Sequence, residues 1–108
     1  MTLRETQYIA EDGDRIAKVL KALGHPVRLR IVKEVCERDH RCCGDMCRCF
    51  DLSQSTISQH LSVLIEAGVL TAHKQGTKSC YSICENVLAE LQLVFQTLIE
   101  CDRAGALD

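Results

Sequence analysis

The stretch from Ser53 to Gly68 constrains the fold of this chain more than any other. Ser53 offers a short hydroxyl suited to capping a helix, Ile57, Leu61 and Leu64 recur at helical spacing, and Gly68 stops the run. The other side of that helix is Gln54, Ser55, Thr56, Ser58, Gln59 and Ser62, and Glu66 at its far end carries the only formal charge. A helix facing only water normally displays Glu and Lys. Short hydroxyls and amides instead permit close approach to phosphates and base edges. The spacing thus predicts a helix over 54–67 with one face in a core and the other suited to double-stranded DNA.

The flanking sequence supplies the remaining elements. Ile16, Val19, Leu20 and Leu23 predict an amphipathic helix that ends at Gly24. Pro26 suits the first turn of a second helix over 26–36. Residues 40–43 allow a brief strand, and a short helix over 44–50 leads through Asp51 and Leu52 to the Ser53 cap. Residues 69–74 and 78–83 alternate as two strands around Gln75, Gly76 and Thr77, a hairpin. A last helix over 86–101 carries Val87, Leu88, Leu91, Val94, Phe95, Leu98 and Ile99, a stripe wide enough to seat a partner's helix. The fold class is therefore mainly α (α+β): a winged helix-turn-helix with a two- to three-stranded wing sheet between N- and C-terminal dimerisation helices. One domain over 15–101 is expected, with an N-terminal arm at 1–14 and a tail at 102–108.

Length and charge agree with this organisation. A chain of 108 residues with four aromatics builds a thin core, so association with a second copy is expected. The net charge of −2 hides a basic centre. Residues 15–84 carry eleven Lys/Arg against six Asp/Glu, whereas the two ends are acidic. Such a distribution fits one phosphate-facing surface. Lys74 and Lys78 flank the hairpin tip, where they can grip the DNA backbone irrespective of sequence. No apolar run approaches the roughly 18 residues of a membrane span, and residues 1–7 do not resemble a signal peptide. A cytoplasmic location is expected, with no membrane partner. Four scattered histidines without a nucleophile, base and oxyanion arrangement predict no enzyme activity.

The stretches Ala22-Leu-Gly-His-Pro-Val-Arg-Leu-Arg-Ile31 and Ser53-Gln-Ser-Thr-Ile-Ser-Gln-His-Leu-Ser-Val-Leu-Ile-Glu-Ala-Gly-Val-Leu70, with the Gly76 hairpin and Tyr81, resemble the ArsR/SmtB family of metal(loid)-responsive repressors, of the arsenic-repressor type. The resemblance spans about residues 15–100. It implies a homodimer joined through its first and last helices, which binds operator DNA when free of inducer and releases it when inducer binds. It further implies that Ser55, Thr56, Ser58, Gln59 and His60 occupy the recognition helix. His60 also reads as an internal hydrogen-bonding residue.

Eight cysteines in a chain without a secretion signal point to thiolate chemistry in a reducing compartment. Cys42, Cys43, Cys47 and Cys49 crowd into eight residues before the polar helix. Cys43 and Cys47 share a face if helical, and Cys42 can complete a trio. Three thiolates favour a soft, thiophilic centre. Asp45 reads more simply as a helix cap. Arsenic-responsive members of the family carry Cys-Val-Cys-Asp-Leu-Cys at this place. Cys42 and Cys47 match it, Gly44 replaces the middle cysteine, and Cys43 stands one residue earlier. The family's last-helix zinc site is not expected, because no histidine follows His73. The expected inducer is As(III) or Sb(III), with Cd, Pb or a structural Zn as alternatives. Cys49, Cys80 and Cys84 are alternate ligands. On one strand, Cys80 and Cys84 would face the same way, and a cluster joining Cys42 or Cys43 to either would bind the inducer or close a disulfide. Cys36 and Met46 read as core residues, and Cys101 as an incidental thiol. Rival readings are a thiol-redox or persulfide-sensing repressor of the same fold, and a thiol-rich metal buffer.

Overall fold

Caps and turns fix where each element starts and stops. The computed structural model describes the backbone of residues 3–37 and 41–106, and the side chains of residues 13–37 and 46–103. In chain order the elements are α1 (Leu3–Leu23), α2 (Pro26–Glu37), β1 (Arg41–Cys42), α3 (Cys43–Phe50), α4 (Gln54–Glu66), β2 (Leu70–Gln75), β3 (Lys78–Ile83) and α5 (Glu85–Ala106). The strands form one antiparallel sheet in the order β1-β3-β2. This is the expected winged helix-turn-helix, with β1 as the third strand. His40, expected in the short strand, lies outside the described residues, as do the side chains of Cys42, Cys43 and Asp45.

Two helices run longer than periodicity predicted. The apolar rhythm of α1 begins at Ile16, but the residues before it include the good helix formers Ala, Arg, Glu and Gln, with no proline, and the helix starts at Leu3. Likewise α5 continues past Cys101 to Ala106. At the α1–α2 corner, His25 caps α2. Its carbonyl accepts the amide of Leu29 at 3.0 Å, and its Nδ1 accepts the amide of Val27 at 3.1 Å. The Arg28 guanidinium reaches back to donate to the carbonyls of Ala22 and Lys21. A cation there adds donors to the carbonyls at the end of α1, of which Lys21 also accepts the Gly24 amide at 3.2 Å, and complements the helix dipole.

The core draws on every helix and the sheet. Val19 and Ala22 of α1, Ile31 and Val35 of α2, Met46 of α3, and Ile57, Leu61 and Leu64 of α4 are all buried. Leu70 and Tyr81 add the inner face of the sheet, and Val87 and Leu91 the first half of α5. Met46 is thus core, as expected, whereas Cys36 is not. It stands exposed in the last turn of α2, where the buried stripe has already ended at Val35. Beyond Leu91, α5 leaves the core. Leu93 is 67 % and Leu98 60 % exposed, with Phe95 and Ile99 also in the open. An ion pair between Arg15 and Glu90 joins α1 to α5 just before that departure. The chain accordingly extends 55 × 24 × 21 Å, with a radius of gyration of 16.9 Å. A self-contained domain of this length would have about 13 Å.

Candidate nucleic-acid interface and thiol sites

The α3–turn–α4 unit is built by two consecutive caps. Asp51, with φ 54°, takes the left-handed conformation that ends α3, and the amide of Leu52 then bonds the carbonyl of Cys47 at 3.3 Å. Aspartate tolerates that region better than most side chains. One residue on, the Ser53 hydroxyl accepts the Thr56 amide at 3.2 Å and donates to the Thr56 hydroxyl at 2.9 Å, starting α4. At the other end Gly68 (φ 83°) repeats the left-handed stop, with Val69 donating to Leu64 at 2.9 Å.

With Ile57, Leu61 and Leu64 sealed in the core, helical geometry turns Gln54, Ser55, Ser58, Gln59 and Ser62 outward, and all five are exposed. Thr56 is half-buried beside Ser53. His60 faces neither core nor open solvent. Its ring lies 4.6 Å from that of His25, tying α4 to the α1–α2 corner. Partial burial, then the neighbouring charges of His25 and Arg28, lower the His60 pKa below its ordinary 6.5. Sequence reasoning missed this pairing. The only local signal was a histidine before Pro26, where a side-chain acceptor can cap a helix.

The wing is a tight hairpin. Gln75 pairs with Lys78 across a two-residue loop, in which Gly76 has φ 64° and Thr77 a negative φ. Glycine at the first loop position is what a type II′ turn requires. Lys74 pairs with Ser79 and Lys78 with Gln75, so the two exposed lysines lie on opposite faces near the tip.

The thiols are distributed over five elements, α2, β1, α3, β3 and α5, with Cys84 between the last two. Cys43 opens α3 and Cys47 follows one turn later, which places both on one face of the helix. Cys47 is half-buried against the core. Cys49 is exposed, its sulfur 4.0 Å from a carboxylate oxygen of Glu34 on α2. A second clasp between these helices comes from the Arg30 guanidinium, 4.7 Å above the Phe50 ring. Cys42 ends β1 and stands directly opposite Cys80. Cys80 is fully buried, its sulfur 3.6 Å from the Gln75 side-chain oxygen. β3 ends at Ile83, and Cys84 packs against the core while its carbonyl accepts the first amides of α5. The strand expected to turn Cys80 and Cys84 the same way thus stops one residue short of Cys84, whose amide still bonds the Val69 carbonyl at 2.9 Å. Cys101 is exposed on α5. Among the described side chains, no three His, Cys, Asp or Glu gather closely enough to hold a metal ion.

A short helix, a left-handed turn and a capped polar helix followed by a two-stranded wing define a winged helix-turn-helix regulator. Residues 25–72 match the family described as "Bacterial regulatory protein, arsR family". The chain is 36% identical over 86 residues to an uncharacterised HTH-type transcriptional regulator of Methanocaldococcus jannaschii, a match covering 75% of this chain and 91% of that protein. It is 31% identical over 86 residues to the arsenical resistance operon repressor of Escherichia coli, covering 80% and 74%. Among solved structures, it resembles the homodimeric winged helix-turn-helix DNA-binding domain of a possible ArsR-family regulator from Mycobacterium bovis. That match has a TM-score of 0.69 at 28% identity and covers 85% of this chain and 84% of that one. The chain belongs to the arsR family of bacterial regulatory proteins. It is a DNA-binding transcriptional regulator and not an enzyme. No described helix is long and apolar enough to cross a membrane.

Proposed function

We propose that the protein is a homodimeric repressor that occupies operator DNA when free of metal and releases it when a thiophilic metalloid binds Cys42, Cys43 and Cys47. The observation that carries this reading is the bond from the Leu52 amide to the Cys47 carbonyl. It links a candidate ligand, through Asp51 and Leu52, to the Ser53 cap of α4. Drawing Cys47 toward a neighbouring thiolate at the head of α3 turns that helix, and the turn and cap move with it. A ligand that favours the released arrangement by about 1–3 kcal/mol lowers DNA affinity roughly 5- to 150-fold.

The donor set supports a soft ion. Three thiolates suit As(III) or Sb(III), and Cd or Pb after them, better than a hard cation. The Escherichia coli relative, an arsenical resistance operon repressor, supports the same class of inducer. The bare second half of α5 supports the dimer. Burying a side chain such as Leu93, Phe95, Leu98 or Ile99 is worth about 1.5–3 kcal/mol, and the Mycobacterium bovis domain is homodimeric. On DNA, Gln54, Ser55, Ser58 and Gln59 read base edges while Lys74 and Lys78 grip phosphates. Thr56 and His60 stand behind that surface and set the height and tilt of α4.

A mobility-shift titration of the reduced, metal-free protein on its own upstream DNA tests the reading. Arsenite is expected to release the duplex from the native chain and to lose that effect in Cys42→Ser and Cys47→Ser. Release of both variants at the native arsenite concentration would exclude this site.

A further inference from the structure

We infer that Cys42 and Cys80 form a dithiol site that closes into a disulfide between β1 and β3. The pairing register sets Cys42 directly opposite Cys80. Residues opposed in an antiparallel ladder have Cα atoms about 4.5–5.5 Å apart and lie on the same face of the sheet. A disulfide spans Cα separations of about 4.4–6.8 Å. The bridge therefore needs no change in strand pairing. Cys47, Cys84, Cys36 and Cys101 all belong to other elements or lie beyond the strand end, and none has a cysteine opposite it in the sheet.

The two positions divide the chemistry. Cys80 has no exposed surface, so the proposed order assigns the first oxidation to Cys42, on the short edge strand. With a hydroperoxide as oxidant, the Cys42 sulfur attacks one peroxide oxygen. The O–O bond breaks, a sulfenic acid forms, and the leaving oxygen takes the thiol proton to depart as water or an alcohol. The Cys80 sulfur then attacks the Cys42 sulfur. The S–S bond forms as the S–O bond breaks, and the hydroxyl leaves as water with the Cys80 proton. Two thiols are oxidised by two electrons and one peroxide is reduced. The closed bridge occupies the sulfur of Cys42, so the metalloid trio is one ligand short, and it staples the residue preceding α3 to the wing. This consequence for the inducer rests on the function proposed above. The bond itself does not.

The full-length reduced protein, with neither metal nor DNA, is treated with one equivalent of hydrogen peroxide, alkylated in guanidinium and mapped by tandem mass spectrometry. The expected product joins Cys42 to Cys80, is lost on treatment with dithiothreitol, and does not form in Cys80→Ala. Cys80 remaining fully alkylatable after Cys42 has been consumed, or Cys42 bridged to Cys43 or Cys47, would overturn the inference. So would failure of both residues to react. The mapping on native protein stands even where the variant does not fold. It is also independent of the arsenite titration on reduced protein, so failure of either reading is seen separately. With the bridge mapped, the oxidised protein is expected to need at least tenfold more arsenite for release than the reduced one.

Discussion

The imidazole of His60, on α4, rests 4.6 Å from the imidazole of His25, whose Nδ1 caps α2. One contact thus joins the polar helix to the corner where α1 and α2 meet. It also makes that joint sensitive to protons.

Burial, His25 and Arg28 together lower the His60 pKa below 6.5. The unfolded chain then takes up a proton on His60 at higher pH than the folded chain does, so stability rises with pH across that interval. The contribution is complete above about pH 6.5 and is lost as pH falls through the lowered value. Urea midpoints measured from about pH 8 to pH 5 are expected to drop below pH 6.5, and to drop less in His60→Gln. An identical pH profile in the variant would rule out this residue as the source.

Asp51 holds a left-handed conformation at the turn between α3 and α4. Replacement by glycine, which takes that conformation freely, is expected to leave stability unchanged or raise it slightly. A β-branched residue such as Val is expected to cost about 1–3 kcal/mol. Equilibrium denaturation of D51G and D51V reads the difference, and equal stabilities would mean the turn relaxes at no cost.

Lys74 and Lys78 lie on opposite faces of the wing, so under the proposed function each would meet the DNA backbone on its own. Lys74→Ala and Lys78→Ala are each expected to weaken binding to all sequences alike and to reduce the salt slope by about 1. Gln59→Ala is expected to relax sequence preference instead, costing about 1–3 kcal/mol on the preferred operator only. Fluorescence anisotropy at several salt concentrations separates the two behaviours. A sequence-independent loss from Gln59→Ala would move that residue from base reading to phosphate contact.

The exposed half of α5 carries Leu98 at 60 % exposure. Leu98→Asp places a charge on a face proposed to be covered by a second chain. Sedimentation is expected to show monomer at concentrations where the native protein is dimeric, with helicity retained. A variant that remains dimeric would place the interface elsewhere.

Local signals carried the fold a long way. The alternation of 78–83 gave β3 its observed bounds, and Ser53 marked the start of α4 because a cap is written in a single residue and the amide it accepts. Amphipathic periodicity located α1 and α5 but not the start of α1 or the end of α5. It registers burial, and α5 continues well past its last buried position, Leu91. The same limit explains Cys36, whose apolar neighbours suggested a core position although the buried stripe ends one residue earlier. The opposition of Cys42 to Cys80 is one of the combinations that the sequence left open, and the strand register selects it; the pairing of His25 with His60 and the Arg30–Phe50 clasp join residues far apart in the chain. No window of sequence contains both members of such a pair. Spacing alone put Cys43 and Cys47 on one helical face, but it also put Cys84 on the same strand face as Cys80, although β3 ends at Ile83.

The tie between α3 and α4 is made by main-chain atoms, the Cys47 oxygen and the Leu52 nitrogen. Exchanging the Cys47 side chain therefore deletes a chemical group without cutting the linkage. Any other side chain able to capture a ligand at that position would act on the same lever, so the identity of the signal can drift in evolution while its transmission to the polar helix is preserved.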